Sequence, residues 1–165
     1  MSGSLAITNR QRTVSLNTRL LRRITKSLLT ELLKLDTFDL SLIIVRAPEM
    51  AQINQTFLQH EGSTDVITFD YAENSPHVTR HTSLSLHGEL FICIDDAIAQ
   101  AKEFRTTWQC ELARYVIHGV LHLRGYDDIR PADRRKMKRE ENRLLQEIAR
   151  LFPLKELGRR PRLAA

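Results

Sequence analysis

The most informative stretch of this chain is residues 118–128, which read HGVLHLRGYDD. It includes the end of an apolar run, Leu112 to Leu123, whose length and composition predict a buried helix. On a helix, His118 and His122 are four residues apart, so their imidazole rings lie one turn above the other on a single face. The sequence therefore predicts two aligned nitrogen ligands for a metal ion.

A third ligand is expected just after this helix. Gly125 is the residue type best able to adopt a positive φ and end the helix, which would turn the chain back toward the histidines. Asp127 or Asp128 would then bring an oxygen to the same point. Three protein ligands and an open fourth position are typical of a catalytic zinc, which lowers the pKa of a bound water to about 7. The alternative interpretation is a pair of ordinary core or surface histidines.

The residue that follows the first histidine also carries information. In zinc peptidases with the pattern H-E-x-x-H, a glutamate at this position is the general base. Here the position is Gly119. The pattern therefore disfavours a peptidase, although a base could come from elsewhere in the chain.

Two further blocks precede this stretch: residues 63–69 read STDVITF and residues 88–94 read GELFICI. Together the three blocks resemble the YbeY family of bacterial metal-dependent endoribonucleases. The stretch 118–128 is similar to the family signature H-G-x-L-H-L-x-G-Y-D-H, and the other two are similar to its P-T-D-V-L-S-F segment and its G-D-I-x-I-x strand. The blocks occur in the family's order and cover most of residues 39–151.

The resemblance implies an enzyme that cleaves single-stranded RNA with one zinc ion per chain. It implies the metal ligands His118, His122 and Asp128. It also implies ribosomal RNA as the substrate, in maturation of the 16S 3′ end and in ribosome quality control. The partner would be the ribosome or its small subunit.

The chain departs from the family pattern at two positions. The family's third histidine falls on Asp128, which zinc accepts because carboxylate oxygen is one of its usual ligands. An arginine thought to bind phosphate in the family falls on Leu58, which cannot contact an anion. Either catalysis is weakened, or the alignment shifts locally, or another cation has taken the role, with these candidates: Arg46, Arg105 and Arg124.

Two other functions remain open at this point. One is a non-catalytic, zinc-containing RNA- or ribosome-binding factor, which Leu58 favours. The other is a metal-dependent hydrolase of a small substrate, which the basic composition and Gly119 disfavour. Asp127 is a candidate for a supporting or acid-base role, and the candidates for stacking on RNA bases are Tyr71, Trp108 and Tyr126.

Length and composition indicate an ordinary globular protein. The 165 residues correspond to one domain, and the net charge of +5 favours acidic partners, nucleic acid first among them. Cys93 and Cys110 lack the spacing of a metal or redox motif, so we expect two buried, reduced thiols. No apolar stretch approaches the roughly 20 residues of a membrane span, and we expect a cytoplasmic protein.

Hydrophobic periodicity predicts an α+β domain with a mixed sheet of about four strands, about five helices and the metal site at the end of a central helix. The predicted strands are 5–8, 40–45, 66–69 and 89–94. The predicted helices span about 18–35, 48–58, 97–104, 112–123 and 132–151. We expect one domain over residues 1–165, with 154–165 as a flexible basic tail.

Overall fold

A computed structural model describes residues 2–72 and 84–158 of the chain. Its strands are β1 Ser2–Asn9, β2 Thr37–Val45, β3 Val66–Asp70 and β4 Ser85–Cys93. They form one sheet in the order β1-β2-β4-β3. β2 is parallel to both of its neighbours, whereas β3 is antiparallel to β4. The predicted mixed sheet of four strands is therefore confirmed.

Five α-helices are present within the described residues: α1 Thr18–Ser27, α2 Ala47–Ile53, α3 Ile94–Phe104, α4 Trp108–Leu123 and α5 Pro131–Leu151. Together with the sheet they confirm the predicted α+β class. The helix expected to continue to Leu35 instead changes to a π-helical segment, Leu28–Leu32, after α1. A second such segment, Asn54–Leu58, follows α2. None of the described helices is long and apolar enough to cross a lipid bilayer.

The apolar run of β2 is explained by burial on both faces of the sheet. Because successive side chains of a strand face opposite sides, Leu40, Leu42 and Ile44 enter the larger core with α1, α4 and α5. Ile43 and Val45 enter a smaller cluster that α2 completes. A strand covered on both faces reads as a continuous apolar run rather than as an alternation.

Gly119 allows α4 to lie unusually close to the sheet. A Cβ atom at this position would be 2.8 Å from Cδ1 of Leu90 on β4 and 3.2 Å from Cγ1 of Val66 on β3. Leu90 is fully buried, so it has little room to move. The glutamate that serves as general base in zinc peptidases would therefore collide with Leu90 at this position. The absence of a side chain at Gly119 is what lets α4 pack closely against β3 and β4.

Residues 154–158, which the sequence assigned to a flexible tail, are ordered and packed. Leu154–Leu157 form a 3-10 turn, and the side chain of Leu157 is completely buried. The amide of Asn17 donates to the carbonyl of Leu157, and Gly158 forms a bridge with Leu16. Leu157, together with the partly buried Leu154, packs this segment against the core, whereas the sequence predicted a flexible tail from residue 154 onward. Residues 159–165 lie outside the described part of the chain.

The two cysteines are unpaired thiols in different environments. Cys93, at the end of β4, is completely buried, whereas Cys110 in α4 is only partly buried. Burial raises the pKa of the Cys93 thiol to about 11, so it stays protonated at neutral pH. The expectation of two buried thiols therefore holds for Cys93 but not fully for Cys110.

We predict that Leu157→Ala lowers the free energy of unfolding by about 2–5 kcal/mol, because it leaves a cavity where the last turn meets the core. Lys155→Ala, a change at an exposed residue of the same turn, is the control and should shift it by less than about 0.5 kcal/mol. Urea unfolding of both variants measures the difference. Equal stability of the two variants would show that this turn is not part of the cooperative fold.

Candidate metal centre

The end of α4 places the predicted ligands. Thr107 caps the start of the helix, where its hydroxyl oxygen accepts a hydrogen bond from the amide of Cys110, and the helix ends at Leu123. Gly125 has φ of +95°, and the amide of Tyr126 donates back to the carbonyl of Leu121. The glycine turn expected from the sequence is therefore present, and it returns the chain toward the histidines.

Three side chains meet at this turn. The Nε2 atoms of His118 and His122 are 3.1 Å apart, and Oδ2 of Asp128 lies 3.7 Å from the first and 3.6 Å from the second. Of the two candidate aspartates, Asp128 is the one in this cluster. Asp127 has a different contact, because its Oδ1 accepts the amide of Ile129 and so fixes the loop.

The three atoms have the spacing of ligands around one metal ion. Zinc bonds of about 2.0–2.2 Å in a tetrahedron place neighbouring ligand atoms about 3.3–3.6 Å apart. The observed separations of 3.1, 3.6 and 3.7 Å bracket that range. Two imidazoles and a carboxylate could therefore hold a divalent metal and leave a fourth position open.

The protonation of the histidines suits this role. Nδ1 of His122 is 3.1 Å from the carbonyl oxygen of Tyr126, which can only accept a hydrogen bond, so Nδ1 carries the proton. Nδ1 of His118 is 2.9 Å from Oε2 of Glu141. With the protons on Nδ1, both Nε2 atoms present lone pairs to the metal position.

Glu141 is a candidate supporting residue of the centre that was not predicted from the sequence. It lies on α5, is 4% exposed, and its Oε1 accepts from Nη1 of Arg114 at 2.9 Å and from Nζ of Lys138 at 3.2 Å. Burial raises the pKa of its carboxyl, but the bonds from His118 and Arg114 and the Lys138 charge outweigh burial and lower the pKa to about 2. Glu141 is thus a permanent anion behind His118. The available signal was a glutamate within the apolar stripe formed by Met137, Leu144, Leu145 and Ile148.

The pKa of His118 reflects the same contact. Burial lowers the pKa of its imidazole, but the hydrogen bond and the charge of Glu141 outweigh that effect and raise it above its ordinary value. A raised pKa means a more basic imidazole, which is a better donor to a metal cation.

The cluster opens into a cleft of about 190 Å³ between α4 and α5. Its charged lining residues are the cations Arg114, Arg134 and Lys138 and the anions Asp65, Asp128 and Glu141. The three cations named from the sequence as substitutes for the family arginine do not line this cleft: Arg46 pairs with Asp95, Arg105 caps α3, and Arg124 lines a separate groove. Leu58 is about half exposed at the end of its π-helical segment and lies outside the described lining as well.

The α+β domain carries a helical His-x-x-x-His pair, an aspartate beyond a glycine turn and a cleft lined by both cations and anions. This arrangement is that of a candidate metal centre of the kind found in metal-dependent hydrolases. A sequence model of one family, Endoribonuclease YbeY, matches residues 6–149. The chain belongs to this family, which confirms the resemblance seen in the three sequence blocks.

Individual relatives agree with this assignment. The Endoribonuclease YbeY of Salinibacter ruber is 35% identical over 109 residues, which cover 66% of this chain and 69% of the relative. That of Parabacteroides distasonis is 38% identical over 109 residues, covering 66% and 70%. The solution structure of Thermotoga maritima TM1509 has a TM-score of 0.65 at 24% identity, over 97% of this chain and 99% of that one, and supports the fold.

We predict that Glu141→Gln weakens zinc binding about 10- to 100-fold, because His118 loses its anionic partner. Glu140→Gln is the matched control, since within the described residues the neighbouring Glu140 pairs with Arg143 and not with His118. Competition with a chromophoric chelator measures both affinities. If the two variants bind zinc equally well, the Glu141 contact does not support the site.

Proposed function

We propose that this protein is a zinc-dependent endoribonuclease that cleaves single-stranded RNA. The observation that carries the proposal is the His118, His122 and Asp128 cluster, which opens into a cleft whose lining includes Arg114, Arg134 and Lys138. Membership of the Endoribonuclease YbeY family supports the reaction class. We propose His118, His122 and Asp128 as the ligands of one metal ion per chain.

The donor set supports zinc as the ion. Two neutral imidazole nitrogens and one carboxylate oxygen form a ligand set that zinc uses in catalytic sites, whereas magnesium and calcium prefer oxygen ligands alone. When bound, zinc supplies a water of lowered pKa and polarises a phosphoryl oxygen.

The residues of the chain prepare the site for this chemistry. The carbonyl of Tyr126 and the carboxylate of Glu141 hold the protons of the two histidines on Nδ1, and so they fix both ring orientations. Because Arg114 and Lys138 share Glu141, the ring of His118 is held by a network that joins α4 to α5. The ligands are therefore in position before the substrate binds, which reduces the cost of assembling the site.

RNA is the substrate that the surroundings of the site favour. Clustered arginine and lysine bind RNA phosphates with release of counterions, so we expect RNA binding to weaken with salt and to depend little on base sequence. Tyr126 is the stacking candidate nearest the site, with Nζ of Lys136 5.9 Å from its ring centroid.

We further propose ribosomal RNA as the biological substrate, in maturation of the 16S 3′ end and in quality control of ribosomes. The ribosome or its small subunit would then be the partner. This role assigns the protein to the cytoplasm, where ribosomes are assembled. A non-catalytic RNA-binding factor with a structural zinc is the second candidate, and the leucine at position 58 is the observation that favours it.

We predict that the zinc-loaded protein cleaves a ribosomal RNA fragment in single turnover and that His122→Ala abolishes cleavage, because the metal loses one of three ligands. His60→Ala, which removes an exposed histidine in the loop after α2, is the control and should cleave like the wild type. Metal content is quantified in each preparation. If wild type and His122→Ala bind the RNA and both leave it intact, the RNA-binding factor becomes the better account.

A further inference from the structure

We infer that Arg134 binds an RNA phosphate directly beside the metal centre, on the side of His118. This role rests on the proposed function, and it makes Arg134 the residue that positions the RNA strand beside the metal centre. It is drawn from how the cations of the cleft are engaged, since three of them line it: Arg114, Arg134 and Lys138.

Two of the three cations are already neutralised by the protein. Nη1 of Arg114 donates to Glu141 and to Oδ1 of Asn142, both at 2.9 Å. Nζ of Lys138 donates to the same oxygen of Glu141 at 3.2 Å. Nε of Arg114 also lies 3.8 Å from Oε2 of Glu111, so two carboxylates, Glu111 and Glu141, offset the charges of Arg114 and Lys138.

Arg134 differs from both. Its Nε donates to the backbone carbonyl of Asp128 at 3.0 Å, which is a neutral acceptor. Within residues 2–72 and 84–158, no carboxylate forms an ion pair with it. No described carboxylate is therefore bound to its guanidinium, and its terminal nitrogens are left to form the planar fork that suits a phosphate.

The bond to Asp128 also places this fork. Asp128 contributes Oδ2 to the metal cluster and its carbonyl oxygen to Arg134. The guanidinium is thus tied to a residue whose other end is at the metal position. A phosphate held by Arg134 would lie next to the open position of the metal, where cleavage requires it.

The other side of the cluster is unsuited to a phosphate. A separate groove runs past His122 and is lined by the carboxylates of Asp70 and Asp127, with no lysine or arginine among its described lining residues. Both carboxylates accept a backbone amide, Asp70 from Ala72 and Asp127 from Ile129, but neither forms an ion pair among the described residues, so both repel phosphate. Because the described lining of this groove lacks the cations of the other cleft, the RNA phosphate is placed on the Arg134 side.

The test compares Arg134→Gln with Arg135→Gln, which removes the same charge from the next, exposed residue of α5. Each protein is saturated with zinc, and two quantities are measured: kcat/KM for RNA cleavage, and affinity for a single-stranded oligouridylate of about ten nucleotides at several salt concentrations. Zinc affinity is measured separately, because a residue that only fixed the Asp128 loop would change zinc binding instead.

We expect Arg134→Gln to lower RNA affinity and kcat/KM by about 10- to 100-fold relative to Arg135→Gln. The slope of log K against log salt should fall by about 0.7, the value for one phosphate contact. Zinc affinity should match that of Arg135→Gln. Arg134→Lys should restore the slope but only part of the affinity, because it keeps the charge and loses the fork.

The inference is overturned if Arg134→Gln and Arg135→Gln bind and cleave RNA alike while the wild type is active. It is also overturned if the loss in Arg134→Gln is explained by weaker zinc binding. If the wild-type protein neither binds nor cleaves RNA, the proposed function itself is contradicted, and the role of Arg134 is contradicted with it.

Discussion

The contact between His118 and Glu141 joins the two helices that form the candidate metal centre. It is the point at which α5, the last long helix, acts on the ligands carried by α4. A carboxylate that is 4% exposed would be costly without partners, since burial alone raises its pKa. Three donors, from His118, Arg114 and Lys138, offset that cost. The packing of α5 and the orientation of a ligand thus depend on one charged group.

The sheet fixes the opposite side of α4. Gly119 and Gly88 both lie where a Cβ would collide: the first would meet Leu90 on β4, and the second would meet the side chain of Leu123 and the carbonyl oxygen of Phe69 at 2.8 Å. α4 is therefore pressed against β4 near both histidines, while α5 holds the outer side of His118. Stiffness on both sides keeps three ligand atoms within 3.7 Å of one another.

Features that depend on local sequence were predictable. The i, i+4 pair of His118 and His122, the turn at Gly125 and the apolar run of β2 each follow from spacing or residue type alone. Glu141 was not predictable in this way, because its contact joins residues 23 positions apart and depends on how α4 and α5 cross. The order at 154–158 was missed for a related reason, since the burial of Leu157 is a tertiary effect.

The charge balance of the centre connects the two departures from the family pattern. An aspartate at position 128 in place of a histidine makes the ligand set more negative by one charge, which weakens attraction for a phosphate. In the ungapped alignment with the family, Leu58 stands where the family has an arginine, which is a further positive charge fewer. Arg114 and Lys138 cannot replace these positive charges at a phosphate, because the buried carboxylate of Glu141 requires both of them as partners. Arg134 is the remaining cation of the cleft. Its hydrogen bond to the carbonyl of Asp128 holds one positive charge beside the aspartate that makes the candidate ligand set more negative.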